Sequence, residues 1–334
     1  MFERTPSDFL EFRDNEPPQL IVTIDTEAEF EWGAPYSRSK ICVDSVSEQH
    51  RAQDIFDKYD IIPTYLVDFA VASDEQAVRT LSELQEAGRC EIGSHLNPWL
   101  NPPFDEPVNA FHSYPCNLPA GLERRKLEQL TLMIEQQFGA RPEVYRAGRY
   151  GIGPGTARIL ENLAYRVDLS VAPFASFAGD GGPDFGDFDC RPYRFGTAKQ
   201  HLEIPVTCGF SGWLAGKGSS IFPVLSNPTG MILHLPGVLA RLHALERIRL
   251  TPEGTSITEL CRLTESLLGQ GCRVFSFTYH SPSLAPGKTP YVRDRNEVEA
   301  FLQVIEGYME YFKHAHGGEF STALRLHSEH CGAL

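Results

Sequence analysis

Four segments of this chain run apolar and β-branched for several residues and then stop on groups that bind cations or move protons. They are residues 20–27, ending Asp25-Thr26-Glu27; 90–95, ending on His95; 166–170, carrying Asp168; and 274–280, ending on His280. A strand that reads apolar without alternation is buried on both faces, which is the situation of a parallel strand covered by helices. In α/β barrels, reactive side chains stand where such strands end. This pattern, more than any composition figure, restricts the chain to an α/β fold and argues for an enzyme.

Between the runs lie helical patterns. A polar, Pro-containing N-terminal tail over 1–18 leads to a strand over 20–25, and the remaining residues, 19–334, read as one barrel domain. Helices are predicted over 47–59, 74–87, 121–138, 155–165, 256–269 and 297–312, the longest from Leu122, Leu127, Leu130, Ile134 and Phe138 at helical spacing with Gly139 as its stop. Further strands are predicted over 61–69, 89–95, 143–148, 166–171, 202–207, 231–235 and 273–280, with long loops through 172–230. Strands alternating with helices demand parallel pairing, and no internal repeat or low-complexity linker divides them. The predicted fold is a deformed (β/α)7 barrel in a single domain. A doubly wound open sheet is the competitor, but it would gather its ligand-binding groups at one switch point rather than at strand ends throughout the chain.

Composition excludes several functions. Of 334 residues, 42% are aliphatic, aromatic or cysteine, ample for a core. The formal charge of −14 argues against nucleic acid or an anionic membrane as partner. The basic stretch 241–249 reads as a solvated helix face. No stretch approaches the roughly 20 apolar residues of a membrane span, and the start lacks the features of a secretory signal, so a cytoplasmic location is expected. Eight cysteines without a C-x-x-C pair indicate reduced, partly buried thiols rather than a zinc-finger or redox site.

Asp25 and Glu27 are two residues apart, so on a persisting strand both point the same way, and together they can hold a cation or deprotonate water. His95 and Asn97 share a direction for the same reason and precede a Pro-rich loop. Arg146 and Arg149 flank another strand end, where a guanidinium can orient a carboxylate. Asp168 is placed to pin Arg146, and His280 is a candidate general acid. His234 is divided between core and site. His314 and His316 read as surface residues, and no G-x-S-x-G elbow is present.

In this order these residues resemble the polysaccharide deacetylase family, also called NodB-homology or carbohydrate esterase 4, over most of the chain and most nearly its WalW-like branch. The carrying segments are 23–27, 91–99, 145–151, 167–170 and 279–287. The resemblance implies Asp25 as catalytic base, His280 as catalytic acid, Arg146 with Asp168 holding the base, and Glu27, His95 and Asn97 as ligands of a divalent metal, zinc by preference. Family members typically carry a second metal-binding histidine where this chain has Asn97 or Trp99.

The leading expectation is a metal-dependent amide hydrolase that removes an N-acetyl or similar acyl group from an amino sugar or glycan precursor, a carbohydrate or small molecule being the partner. The rival is a barrel that has lost catalysis and binds a glycan or a protein. Asn97 and Trp99 favour the rival, and Asp25, Arg146 and His280 count against it.

Overall fold

The computed structural model describes residues 3–13, 15–39, 41–227 and 232–332. In chain order the elements are β1 (Gln19–Thr26), α1 (Gln49–Lys58), β2 (Thr64–Val67), α2 (Phe69–Ala72), α3 (Glu75–Glu86), β3 (Glu91–Leu96), α4 (Ala120–Phe138), β4 (Val144–Ala147), α5 (Thr156–Asn162), β5 (Val167–Asp168), β6 (Tyr193–Phe195), β7 (His201–Glu203), β8 (Cys208–Ser211), α6 (Gly218–Leu225), α7 (Leu235–Arg241), β9 (Glu246–Arg249), α8 (Ile257–Gly269), β10 (Val274–His280), α9 (Arg295–His316), β11 (Glu319–Phe320) and α10 (Ala323–Cys331). The caps are those the sequence supplies. Gly139 ends α4 at φ 74°, and Ser256 with Glu259 forms a capping box at the start of α8.

The main sheet runs β10–β1–β2–β3–β4–β5–β7–β6 and is parallel at every step but the last, with the short β11 added beside β1. These parallel strands curl into the deformed (β/α)7 barrel that the sequence predicts. Two cores divide by strand parity. Leu20, Val22, Ile24, Tyr65, Tyr145, Phe275 and Phe277 pack outward against the helices. Ile21, Leu66, Val144, Val167, Leu202 and Val274 fill the lower interior of the barrel with Leu326 of α10 and Leu10. Further along the same strands the interior positions turn polar: Thr23, Arg146 and Thr278 lie at the next level. The barrel therefore has an apolar floor and a polar mouth.

Closure comes from outside the main sheet. The antiparallel pair β8–β9 stands on a base where Leu250 N donates to Thr207 O (2.8 Å) and Thr278 N to Leu250 O (3.2 Å), while Ser276 N reaches Thr207 Oγ1 (2.8 Å). This bridges β10 toward the chain that leaves β7.

Two expectations are corrected. Residues 232–235 are not a strand: His234 has φ 52° and Leu235 opens α7 with Pro236 in its first turn, where proline fits a helix start and would break a ladder. Met231 lies outside the described residues. The basic stretch 241–249 is not a helix face, since Arg241 ends α7 and Arg247 and Arg249 belong to β9. Part of the N-terminal segment docks on the barrel: Leu10 is buried and its N donates to Pro192 O (2.9 Å), and Asp8 pairs with Lys199 (3.0 Å). Among the described residues no helix is long and apolar enough to cross a membrane.

Candidate active site

Sheet register sets the mouth. Asp25 on β1 is the lateral neighbour of His280 on β10, and His95 on β3 is that of Arg146 on β4. With side chains alternating along each strand, Thr23 and Asp25, Thr278 and His280, and His95 and Asn97 rise in steps of two toward the opening.

Arg146 is fully buried and held on every side. Nη1 donates to Asp25 Oδ1 (2.5 Å) and Thr278 Oγ1 (2.8 Å), Nη2 to Thr23 Oγ1 (2.9 Å), and Nε to the Leu169 carbonyl (3.0 Å). Burial alone would raise the Asp25 carboxyl, but Arg146, His95 and His280 outweigh it and hold it below its ordinary value. The base is thus kept ionised.

His280 stands beside it, with Nε2 3.7 Å from Asp25 Oδ2. Its Nδ1 is 2.8 Å from Glu253 Oε2, and Glu253 Oε1 accepts from His280 N (3.1 Å) and Ser283 Oγ (2.6 Å). With Nδ1 bonded to the carboxylate, Nε2 is the nitrogen that faces the opening. Burial pushes the imidazole toward neutrality, yet Glu253, then Glu27 and Asp25, hold its pKa well above the ordinary histidine value. Base and acid therefore sit side by side in opposite protonation states.

Glu27, His95 and Asn97 also converge. Glu27 Oε2 accepts from Asn97 Nδ2 (2.8 Å) and lies 3.3 Å from His95 Nε2, while His95 Nδ1 is buried without a partner. Burial lowers the His95 pKa, but Asp25 and Glu27 more than offset that and raise it. The set comprises one imidazole, one carboxylate and one amide. Structural and catalytic zinc sites take three or four nitrogen, thiolate or carboxylate ligands, and here one carboxylate oxygen serves both neighbours. Among the described residues no group of three His, Cys, Asp or Glu side chains is placed to hold a metal ion. The zinc expected from the family resemblance does not fit this donor set.

Asp168 is not among the hydrogen-bond partners of Arg146. It accepts from Ser170 Oγ (2.6 Å) and pairs across the sheet with Glu203 of β7, whose Oε1 accepts from Val171 N (3.0 Å). Burial and then mutual repulsion raise the pKa of Glu203 well above the ordinary value, so the pair holds one proton between two carboxyls. A native group that keeps its proton adds stability that is complete below its unfolded pKa and disappears as pH rises through the folded one. Glu203→Gln, neutral throughout, is expected to match the wild type near pH 5 and to be the more stable protein at pH 8, with a flatter stability curve between the two. Chemical denaturation at both pH values checks this, and a large loss at pH 8 would mean an ionised Glu203.

These groups open into a pocket of about 1270 Å³, with Trp32, Tyr36, Trp99, Tyr150 and Tyr291 in its walls. Trp32 meets His280 edge-on at 5.3 Å. Of the sequence candidates, Asp25, Glu27, His95, Asn97, Arg149 and His280 line the pocket, and Arg146 and Asp168 lie beneath it. His234 is exposed and lies outside the pocket lining, and His316 bonds Tyr311 (2.8 Å) at the end of α9. Sequence reasoning missed Glu253, Glu203 and Arg249. An acid inside the apolar run 202–207 was the available signal for Glu203; Arg249 sits in the basic stretch read as a helix face, and Glu253 in the polar connection after it.

Fold and site together define a NodB-like (β/α) barrel with a carboxylate and a histidine paired at its mouth. No protein-family model matches the sequence, and no match is found among curated proteins. Among solved structures the chain is similar to a protein from Mycobacterium smegmatis assigned as a polysaccharide deacetylase, with 16% identity over 98% of this chain and 94% of that one and a TM-score of 0.56. It is similar to Puue allantoinase as well, with 16% identity over 98% of each chain and a TM-score of 0.54. At this identity the likeness is one of fold.

Proposed function

We propose that the protein hydrolyses an amide, removing an acetyl or similar acyl group from an amino sugar or glycan precursor. The observation that carries this reading is the placement of Asp25 between Arg146 and His280, with Glu253 behind His280, at the mouth of an aromatic-walled pocket. Asp25 takes a proton from water as its oxygen attacks the amide carbonyl. The C–N bond then breaks, His280 Nε2 protonates the departing nitrogen, and a carboxylic acid and a free amine result. Arg146 keeps Asp25 ionised at some expense of basicity. No step is routed through a metal. The motif resemblance to polysaccharide deacetylases, and to their WalW-like branch, supports the sugar substrate.

The test is release of acetate from a panel of N-acetylated amino sugars by purified protein, before and after exhaustive chelation, with Asp25→Asn as the control. Activity that survives chelation and vanishes in Asp25→Asn is expected. The Glu27–Asn97 hydrogen bond favours a second reading, a barrel that binds a glycan without turnover, and no release above the Asp25→Asn background would establish it. Asn97→His supplies the missing imidazole, so this variant should retain about one zinc ion per chain through dialysis while the wild type retains none. Stoichiometric zinc in the wild type by elemental analysis would reverse the metal-free mechanism.

A further inference from the structure

The pocket is lined by five basic side chains among the described residues, and four have acidic partners. His95 faces Glu27 (3.3 Å), His280 faces Glu253 (2.8 Å), Arg149 pairs with Asp180 (2.8 Å) and Lys288 with Glu29 (2.5 Å). The fifth, Arg249, has none. Its one hydrogen bond among the described residues is from Nη1 to the Tyr150 hydroxyl (3.3 Å), and its guanidinium lies over the same ring at 5.3 Å. Glu253 is close enough to favour its charge, but both oxygens of Glu253 already accept from His280 and Ser283.

A guanidinium carries five N–H donors in a planar fork that matches a carboxylate or phosphate. Arg249 is half-buried at the end of β9, which is anchored to β8 through the Cys208–Arg249 register pair. Four donors of a fixed, partly desolvated cation are therefore left for whatever enters the pocket. In a chain of net charge −14, such a group is not explained by general surface charge.

We infer that Arg249 is a specificity-determining residue: the substrate carries an anionic group, a carboxylate or a phosphoester, that the Arg249 fork binds while the acyl amide lies at Asp25 and His280. This rests on the amide-hydrolase reading for the second half of the statement only. The reaction itself is unchanged, since the anionic group takes no part in bond breaking.

The experiment measures affinity by calorimetry for N-acetylglucosamine, its 6-phosphate and N-acetylmuramic acid, and for inorganic phosphate and acetate alone. Wild type, Arg249→Gln and Arg249→Lys are compared, with thermal unfolding of each variant to confirm its fold. The expected result is a preference for one charged sugar over the neutral one that falls tenfold or more in Arg249→Gln and is partly restored in Arg249→Lys. The phosphate and carboxylate arms tell the two anion classes apart. Equal affinity for neutral and charged sugars, or a preference indifferent to Arg249, overturns the inference while leaving the hydrolase reading intact. Arg249-dependent anion binding without acetate release from any sugar would instead keep the anion site and remove the hydrolase.

Discussion

Arg146→Met should lower the stability of the folded protein by about 3–5 kcal/mol at pH 7, the usual penalty for stranding one member of a buried ion pair. The nearly buried Asp25 carboxylate would then face Thr23 and Thr278 hydroxyls that it does not itself engage. The sign of the pH dependence comes from the depressed native pKa of Asp25. Its contribution is present above the unfolded carboxylate value and is lost as pH falls through the native one. The gap between wild type and Arg146→Met in urea unfolding should therefore narrow in acid. Asp25→Asn leaves Arg146 as the stranded partner, and the double variant should lose less than the two single losses added together. In the same series, turnover by Asp25→Asn should fall by roughly 10²–10⁴, the scale of a removed general base. Strict additivity, or near-wild-type turnover without the carboxylate, would refute the pairing on which the mechanism depends.

The second large effect concerns Glu253→Gln. Glu253 is the main influence holding the His280 imidazole in its charged form against burial, so removing its charge should move the alkaline limb of kcat/KM to lower pH. At pH 8 the loss in turnover should reach about tenfold or more, shrinking as pH falls and His280 regains its proton in the variant. The stability supplied by protonated His280 has the same direction: complete below its unfolded pKa and lost as pH rises through the folded value. Full pH–rate profiles of the two proteins decide the matter. An unshifted alkaline limb would show that Glu253 only positions the ring and that another group sets the acid's pKa.

Much of the scaffold was legible because its signals are local. Gly139 as a stop, Ser256 and Glu259 as a cap, and the unbroken apolar runs at β1 and β10 each depend on a few neighbouring residues. The alternation of side chains along a strand likewise brings Asp25, His95, Asn97 and His280 to the mouth without knowledge of any distant partner. The misreadings had local causes as well. Residues 231–235 are as apolar as a strand, and only Pro236 turns the chain toward helix. The stretch 241–249 has the charge of a solvated face, yet Ile248 of β9 is buried in the outer core.

Most strands and helices around the main sheet, their parallel pairing, and the strand ends that carry acids and histidines can thus be read from the chain alone, because propensity and period are properties of short segments. Which charges meet depends on the folded arrangement. Asp168 pairs across the sheet with Glu203, Glu27 is shared by His95 and Asn97, Glu253 stands behind His280, and Arg249 lines the pocket without a carboxylate partner among the described residues. Those outcomes depend on the curl of the sheet and on the β8–β9 pair that closes it. Electrostatic partnership at a few ångströms is set by through-space distance between remote segments, which no local pattern encodes.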